Sequence, residues 1–331
     1  MMEKNKLIVD MILKNATANE IASATGLTNK QLFYRLNMLK MNGYDFFKKY
    51  YNDGEITYTI NNDIKEKDNN TSIITSSKDA KIDMVLISDL HLTHKLERLD
   101  LLNEVYDFCI KEGIHIIINC GDILDGFLGR DEDKKFLSSA DQIEYLLKNY
   151  PFDKNILNFT CLGNHDYSIL KKTGQNLENI LLNYRHDIVP LGYGLGKLNI
   201  KNDVIMVRHP KTPISNPQGS INNGFIISGH THEAKNLSDK NLLHIYLPPL
   251  SDLKINENTL PGFVRATISF SNGHFCHGCF QQYIFLDKMY KVNESRYNLG
   301  SKEKGKSMII NNEEERISLN EKDKKLTKKL K

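Results

Sequence analysis

Five apolar, strand-like runs between residues 82 and 232 are each followed within three residues by aspartate, asparagine or histidine, and this pattern constrains the fold more than any other feature. The runs read MVLIS, IIIN, FTCLG, VIMVR and GFIISG, and helical patterns separate the first three. Such alternation predicts a sheet-centred α/β domain. The strands of an open α/β sheet assemble a site at their carboxyl ends. The polar residues that should meet there are Asp89, His91, Asp122, Asn164, His165, Asp166, His209, His230 and His232.

These side chains form a consistent set of metal ligands. An isolated buried acid or imidazole needs a partner, whereas one metal pair serves all of them. Carboxylate, carboxamide and imidazole ligands without thiolate suit Mn²⁺, Fe or Zn²⁺. Strand alternation places Asp89 and His91 on one side of their strand. Two ions about 3.5–4 Å apart clamp the attacking and leaving oxygens of an in-line displacement, so the pattern predicts phosphoryl-transfer hydrolysis.

The motifs D-x-H, G-D, G-N-H-[DE], H and G-H-x-H occur here in that order and resemble the signature of the calcineurin-like metallophosphoesterases over residues 83–235. The resemblance implies a four-layer αββα sandwich with two divalent metal ions. Four residues look like ligands of one metal: Asp89, His91, Asp122 and His232. Asp122 would bridge to a second metal, which three further residues complete: Asn164, His209 and His230.

The same resemblance assigns the catalytic residues. His165 is similar to the family's catalytic histidine, which binds phosphate and protonates the leaving oxygen. Asp166, which we expect in a loop at residues 163–166, would accept a hydrogen bond from that imidazole and orient it.

The implied function is metal-dependent hydrolysis of a phosphoester. A phosphodiester is favoured over a monoester because SDLHL and GNHD look most like the cyclic-nucleotide and DNA-processing branches. Two alternatives stay open: a nuclease acting on DNA, and a DNA-bound regulator that senses a phosphorylated ligand. Mn²⁺, Fe²⁺/Fe³⁺ and Zn²⁺ share these ligands, so the residues do not choose between them.

Three neighbours of the motifs need separate interpretation. His94 and Asp125 follow motif residues and are predicted to lie in a solvated loop, with substrate contact as the alternative. Arg208 precedes His209, where several branches of the family carry a second histidine, and a phosphate contact is its alternative role. The remaining histidines (His186, His244, His274 and His277) match no motif and are predicted to be structural. The lone C-x-x-C at 276–279 lacks partners for a zinc site.

Residues 1–60 read as a separate unit. KLIVDMILKN has helical apolar spacing, and the segment from Ala18 to Tyr44 reads as helix, glycine-containing turn and helix. Two β-rich runs around Asn-Asp-Gly follow, which is a hairpin signal. This order resembles the winged helix-turn-helix domains that bind DNA.

Six residues are candidates for contact with DNA: Lys30, Gln31, Tyr34 and Arg35 on the second helix of the motif, with Lys48 and Lys49 near the wing. The alternative is a small adaptor that binds protein.

The rest of the chain gives the domain organisation. Residues 61–80 are polar and aperiodic and are predicted to be a linker, residues 81–290 the phosphoesterase domain, and residues 291–331 a charged, disordered tail. The net charge of +3 does not by itself imply a polyanionic partner. No apolar run is long enough to span a bilayer, and the five cysteines fit reduced thiols, so we expect a cytoplasmic protein without a membrane partner. The oligomeric state is left open.

Overall fold

The computed structural model describes residues 2–41, 46–60, 71–75, 80–210, 224–239, 242–253, 259–298 and 310–311. The helices in these ranges are α1 (Met2–Leu13), α2 (Ala18–Thr25), α3 (Asn29–Met41), α4 (Leu99–Glu112), α5 (Ser139–Asn149), α6 (Asn164–Thr173) and α7 (Leu177–Tyr184), with a 3₁₀ turn at Asp131–Asp133. The strands are β1 (Phe46–Tyr51), β2 (Ile56–Ile60), β3 (Thr71–Ile74), β4 (Lys81–Ile87), β5 (Ile116–Asn119), β6 (Leu157–Leu162), β7 (Ile188–Tyr193), β8 (Leu195–Ile200), β9 (Asp203–Arg208), β10 (Gly224–Ser228), β11 (Lys235–Asp239), β12 (Leu242–Tyr246), β13 (Gly262–Ser271), β14 (His274–Phe285), β15 (Met289–Asn298) and β16 (Ile310–Asn311).

Two eight-stranded sheets pack face to face. Sheet A has the order β11-β12-β10-β9-β8-β3-β1-β2, and sheet B has the order β16-β15-β14-β13-β4-β5-β6-β7. Strands β4 to β7 are parallel neighbours, as are β9, β10 and β12. One continuous apolar core lies between the sheets, and Phe159 of sheet B and Phe225 of sheet A are both fully buried in it.

Helices α4 to α7 cover the other face of sheet B. The apolar positions of α4 recur on one side of the helix, where Leu102, Val105 and Cys109 are buried with Val85 and Phe263 of the sheet. This amphipathic pattern is the one that predicts a helix packed on a sheet. The predicted α/β sandwich of two sheets and flanking helices is confirmed.

The N-terminal elements follow the predicted order of three helices and a hairpin. Thr17 and Glu20 form a capping box at the start of α2, and Gly26 ends that helix in the left-handed conformation with φ 64°. Leu32, Leu36 and Leu39 of α3 are buried.

The hairpin does not project from the body of the protein. Strand β1 pairs in parallel with β3, and β3 pairs in parallel with β8, so the hairpin extends sheet A. Gly54 in the hairpin turn has φ 81°, and a Cβ there would lie 1.9 Å from the carbonyl oxygen of Asn155, so only glycine fits. Asn155 lies before the start of β6, at the end of sheet B opposite to the carboxyl ends of its parallel strands. The tip of the predicted wing is therefore packed against the body.

The structure corrects two predictions at the edges of the phosphoesterase region. The predicted linker is wrong for Thr71–Ile74, which form β3 with Ile73 only 2% exposed. These four residues are too few for a periodic signal, but pairing with β1 and β8 stabilises them as a strand. The predicted tail is wrong up to Asn298, because β15 continues to that residue. Residues 61–70, 76–79, 299–309 and 312–331 lie outside the described ranges. Among the helices that the structure describes, we find none with the length and apolar character of a membrane span.

Candidate metal centre

The residues predicted to meet at the sheet edge lie on turns with an unusual backbone. Six non-glycine residues near the carboxyl ends of the strands have positive φ: Asp89 (55°), His91 (44°), Thr93 (79°), Asp122 (53°), His230 (75°) and His232 (51°). Such conformations cost about 1–3 kcal/mol each and persist where the surrounding structure enforces them, which is typical of functional sites. The turns aim these side chains into one buried volume.

Among the described residues, six of the seven predicted ligands fall into two clusters, and His91 also belongs to a third group with Asp125 and His165. One contains Asp89, His91 and His232, and the other contains Asp122, His209 and His230, with the potential ligand atoms of each cluster within 4.8 Å of one another. The clusters adjoin, because His91 Nε2 lies 3.9 Å from Asp122 Oδ2 and His209 Nε2 lies 3.9 Å from Asp89 Oδ1.

Two of these imidazoles are oriented as metal ligands usually are. His209 Nδ1 lies 2.6 Å from the carbonyl oxygen of Cys120, and His232 Nδ1 lies 2.9 Å from that of Leu253. A carbonyl oxygen only accepts, so each Nδ1 carries a proton and Nε2 is the nitrogen that would bind a metal in the neutral imidazole. The Nε2 atoms lie 2.9 Å from Asp122 Oδ2 and 3.3 Å from Asp89 Oδ1, respectively. Both Nε2 atoms therefore face the buried carboxylates.

Burial and the neighbouring charges shift the pKa values of the buried groups in opposite directions. Burial alone would raise the pKa of Asp89, but the neighbouring His232 and His209 outweigh it and hold this pKa at about 2. The pKa of Asp122 is likewise held well below its usual range, against burial, chiefly by His209. Burial lowers the pKa of His209, but Asp122 and Asp89 raise it to about 9. Two carboxylates removed from water therefore require positive charge beside them.

Unpaired buried atoms show that the donor set fits a metal. Both ring nitrogens of His91 and Oδ1 of Asn164 are buried without a hydrogen-bond partner. Burial lowers the pKa of the His91 imidazole, so this ring is neutral and offers a lone pair. Buried polar atoms are nearly always bonded in native proteins. Divalent cations would satisfy these atoms and the buried carboxylates together.

Residues 163–166 form a helix start rather than the predicted loop, since α6 begins at Asn164. The backbone N–H of His165 donates to Oδ1 of Asp122 at 2.9 Å. A Cβ on Gly163 would lie 2.1 Å from the same oxygen, so only glycine allows this turn to approach the carboxylate. The glycine thus positions α6 against the metal-site acid.

The predicted contact between Asp166 and His165 is wrong. The carboxylate of Asp166 accepts backbone N–H bonds from Gly163 (2.8 Å), Ile123 (3.2 Å) and Leu124 (3.0 Å). Burial and the charge of Asp122 raise the pKa of Asp166 to about 6, although these hydrogen bonds oppose the shift. As the third residue of a helix, Asp166 points back to its N-terminus, where a carboxylate caps free N–H groups. Asp166 therefore joins two motif turns and does not orient His165.

Asp125 occupies the place predicted for Asp166. Its backbone carbonyl oxygen lies 2.7 Å from His165 Nδ1, and its Oδ1 lies 3.6 Å from both His91 Nδ1 and His165 Nδ1. The prediction of a solvated loop is wrong for Asp125 and His94, which are 3% and 8% exposed. The spacing signal was present, because Asp125 follows Asp122 by three residues in the turn after β5.

An open cleft of about 380 Å³ leads to the clusters. The metal-site residues His91, His230 and His232 lie on it together with His165. The segment after Asp125, from Leu128 to Lys134, supplies the opposite wall. A ligand in the cleft would therefore meet metal-site residues, the His165 imidazole and the exposed guanidinium of Arg130.

Arg208, four histidines outside the motifs and the C-x-x-C cysteines lie away from the cleft. Arg208 is buried on β9 and is not among the described residues that line the cleft. His244 bonds Ser228 at 2.7 Å, and His274 lies 3.1 Å from Asp203. His277 lies 2.7 Å from Asn298, and His186 lies between the rings of Phe33 and Phe152. The cysteines at 276 and 279 are both free thiols in β14.

Comparison with known proteins identifies the class. Residues 83–210 match the family model of the calcineurin-like phosphoesterases. Over these residues the chain is similar to the calcineurin-like phosphoesterases, as the motifs predicted. The G-H-x-H motif lies beyond the matched residues, and the fold brings it to the same site. No curated protein sequence matches the chain.

The chain is also similar to several solved structures, all of them distant in sequence. A structure described as a novel archaeal phosphodiesterase is 14% identical, with coverage of 62% of this chain and 100% of the other and a TM-score of 0.38. Vacuolar protein sorting 29 from Cryptosporidium parvum is 14% identical, with coverage of 67% and 100% and a TM-score of 0.42. The phosphoesterase YfcE from E. coli is 13% identical, with coverage of 64% and 100% and a TM-score of 0.39.

Proposed function

We propose that the protein is a metal-dependent phosphodiesterase with a binuclear centre. One observation carries the proposal: two adjoining clusters of buried acids and imidazoles, with unbonded ligand atoms, lie at the bottom of an open cleft. The residues that would hold a first ion are Asp89, His91, Asp122 and His232. Those that would hold a second ion are Asp122, Asn164, His209 and His230.

The ions would supply Lewis-acid chemistry, which polarises the phosphoester and lowers the pKa of the attacking water. The set of hard and borderline ligands suits Mn²⁺, Fe²⁺/Fe³⁺ or Zn²⁺. A cation at each cluster would also replace the imidazolium charge on which the carboxylates otherwise depend.

His165 is the general acid in this proposal. Its Nδ1 carries a proton, because Nδ1 lies 2.7 Å from a carbonyl oxygen, so proton exchange with substrate falls to Nε2. Water forms the new P–O bond, the ester P–O bond breaks, and the leaving oxygen takes a proton from His165. The proton released by the attacking water goes to solvent, and solvent reprotonates the imidazole. A positioned general acid contributes about 10²–10⁴ in rate.

The test is hydrolysis of bis-p-nitrophenyl phosphate by the full-length protein, first stripped with a chelator and then reloaded with Mn²⁺, Zn²⁺ or Fe²⁺. We expect activity only after reloading. His165→Ala should retain both metals and slow turnover, whereas Asn164→Ala should lose metal, as counted by elemental analysis. Full activity in metal-stripped protein would overturn the proposal.

A panel of substrates distinguishes the proposed phosphodiesterase from the two alternatives, a nuclease and a regulator that senses a phosphorylated ligand. Cyclic nucleotides, single-stranded DNA and duplex DNA should be compared with the nitrophenyl diester under the same metal. Preferential cleavage of DNA would favour the nuclease. A reloaded protein that binds a phosphorylated ligand without turning over any member of the panel would favour the regulator.

A further inference from the structure

The wall of the cleft contains a buried lysine that the proposed mechanism does not use. The side chain of Lys134 is 1% exposed, although lysine is almost never fully buried unless it is paired. Its ammonium donates to the carbonyl oxygens of Leu128 (2.6 Å) and Arg130 (3.2 Å). These two bonds close the loop that forms this wall.

The same ammonium faces the acid that holds the catalytic histidine. Lys134 Nζ lies 3.6 Å from Asp125 Oδ2, an oxygen that is buried without a hydrogen-bond partner. Asp125 is 3% exposed, so its charge needs a neighbour of opposite sign. The other oxygen of this carboxylate lies near His91 and His165, and its backbone carbonyl accepts from His165.

The backbone holds Lys134 in register with the D-x-H turn. Residues His94 and Lys134 form an antiparallel bridge. Lys135 N donates to Thr93 O at 2.7 Å, and Lys95 N donates to Asp133 O at 2.8 Å. The lysine is therefore built onto the turn that carries His91 and is not a mobile surface side chain.

We propose that Lys134 is a positioning residue for His165: as the counter-ion of Asp125, it fixes the carboxylate and carbonyl that hold the imidazole for protonation of the leaving oxygen. This inference rests on the proposed function, since it extends the role given there to His165. It predicts a defect confined to the step in which the leaving group is protonated.

The experiment compares two diesters of similar shape in metal-loaded protein. Bis-p-nitrophenyl phosphate releases an anion that needs little protonation, whereas diphenyl phosphate releases a poorer leaving group that does. Lys134→Met should lower kcat on diphenyl phosphate by about 10- to 100-fold, the range for residues that orient catalytic groups from behind. On the nitrophenyl diester the loss should be about threefold or less, because general-acid assistance matters little there.

The neighbouring lysine provides a matched control. Lys135 pairs with Glu97 at 2.6 Å and does not line the cleft among the described residues. Lys135→Met should show no preference between the two substrates. Metal content and thermal unfolding of each variant show whether it is folded, and Lys134→Arg serves if Lys134→Met does not fold, with partial rescue expected.

A double-mutant cycle tests the route through Asp125. In an Asp125→Asn background, Lys134→Met should add little further loss, because residues that act as a unit are not additive. Equal losses on both diesters, or fully additive losses, would show that Lys134 only closes the loop and would overturn the inference.

A spectroscopic readout keeps this inference separate from the proposed function. Long-range ¹H–¹⁵N NMR of histidine-labelled, metal-free protein reports which ring nitrogen of His165 is protonated. The wild type should show Nδ1–H, and Lys134→Met should show a mixture of tautomers. If the wild type hydrolyses neither diester, the proposed function fails, and an unchanged tautomer in Lys134→Met overturns the inference independently.

Discussion

The metal centre and the N-terminal seam (the contact of residues 2–60 with the phosphoesterase domain) are both buried, but they are built differently. The metal centre contains fully buried acids and unbonded imidazole nitrogens on a left-handed backbone. The seam contains apolar and aromatic contacts, such as Tyr50 against Phe159 with ring centroids 5.6 Å apart. Polar groups that are expensive to bury mark the region kept for function, whereas the seam contributes stability.

The N-terminal unit shares its core with the rest of the protein. One core contains Ile21 and Leu36 from the helices together with Phe159 and Phe225 from the two sheets. The hairpin is part of sheet A through β3. A winged-helix role on DNA stays a prediction, with a protein adaptor as its alternative. Of the candidate residues on α3, Lys30, Gln31 and Tyr34 are exposed.

The largest loss of activity is expected from a substitution confined to the metal centre. Asp122→Asn should lower kcat on a nitrophenyl diester by about 10³-fold or more, because it removes the charge of an acid that belongs to one cluster and lies 3.9 Å from His91 of the other. Asp53→Asn is the matched control in the seam: its Oδ1 accepts from Glu55 N at 3.0 Å, and an amide oxygen can do the same. We expect full activity in Asp53→Asn, and comparable losses in both variants would contradict the assignment.

A substitution confined to the seam should lower stability. Phe33 is 5% exposed, beside the His186 ring and beneath Lys48 Nζ. Phe33→Ala should lower the free energy of unfolding in urea by about 3–5 kcal/mol. The adjacent Tyr34 is 66% exposed, so Tyr34→Ala should change it by about 0.5 kcal/mol or less.

The shared core predicts one cooperative unfolding transition for the wild type and for Phe33→Ala, with diesterase activity retained per folded molecule. Two separate transitions, resolved by calorimetry, would show that the N-terminal unit folds independently.

Two glycine substitutions extend the contrast between the metal centre and the seam, and a third serves as their control. In Gly163→Ala the new Cβ would collide with Oδ1 of Asp122, and displacement of α6 should cost about 10²-fold in kcat. In Gly54→Ala the collision is with the backbone of Asn155, which should lower stability and leave kcat unchanged. Gly26→Ala has a similar positive φ with no atom within 4 Å, so it measures backbone strain without collision. Loss of kcat in Gly54→Ala would couple the two regions.

A pH effect is expected from the seam. Burial lowers the pKa of His186 to about 4, against Asp187 and with help from Lys48 and Arg185. The unfolded state then binds more protons than the folded state between pH 4 and 6.5, so His186 costs stability as the pH falls through this window. The cost is about 2 kcal/mol at pH 5 and absent above pH 7.

His186→Asn removes this titration and isolates it from every other group. The difference in unfolding free energy between wild type and variant should change by that amount between pH 7 and pH 5. A difference that does not vary with pH would show that the imidazole is not kept neutral by the fold.

The smallest effect concerns DNA. Lys30 and Tyr34 are exposed on α3, whereas Arg35 donates to Asn5 Oδ1 at 3.0 Å and is partly buried. If α3 contacts phosphates, Lys30→Ala should reduce the log–log salt slope of duplex binding by about 0.9 in full-length protein. Lys171→Ala, an exposed lysine on α6, should leave the slope unchanged. Fluorescence anisotropy without any salt-dependent binding would favour the adaptor.

The sequence predicted those features that depend on residues close together along the chain. The spaced Asp, His and Asn residues determined the family and the two ligand clusters, since each motif depends on a strand end and a turn that neighbouring residues specify. Periodicity likewise predicted α1 to α3 and the hairpin.

Contacts between segments that are distant in sequence were decided by the tertiary structure alone. Strand β3 exists because β1 and β8 supply its hydrogen bonds, and four residues carry too little pattern to show it. The partner of His165 depended on side-chain direction: at the start of α6, Asp166 turns back to backbone N–H groups, and Asp125 reaches the imidazole from another turn. The approach of Lys134 to Asp125 requires loop closure across the cleft. Contacts between distant segments depend on packing in three dimensions, which spacing along a chain does not encode.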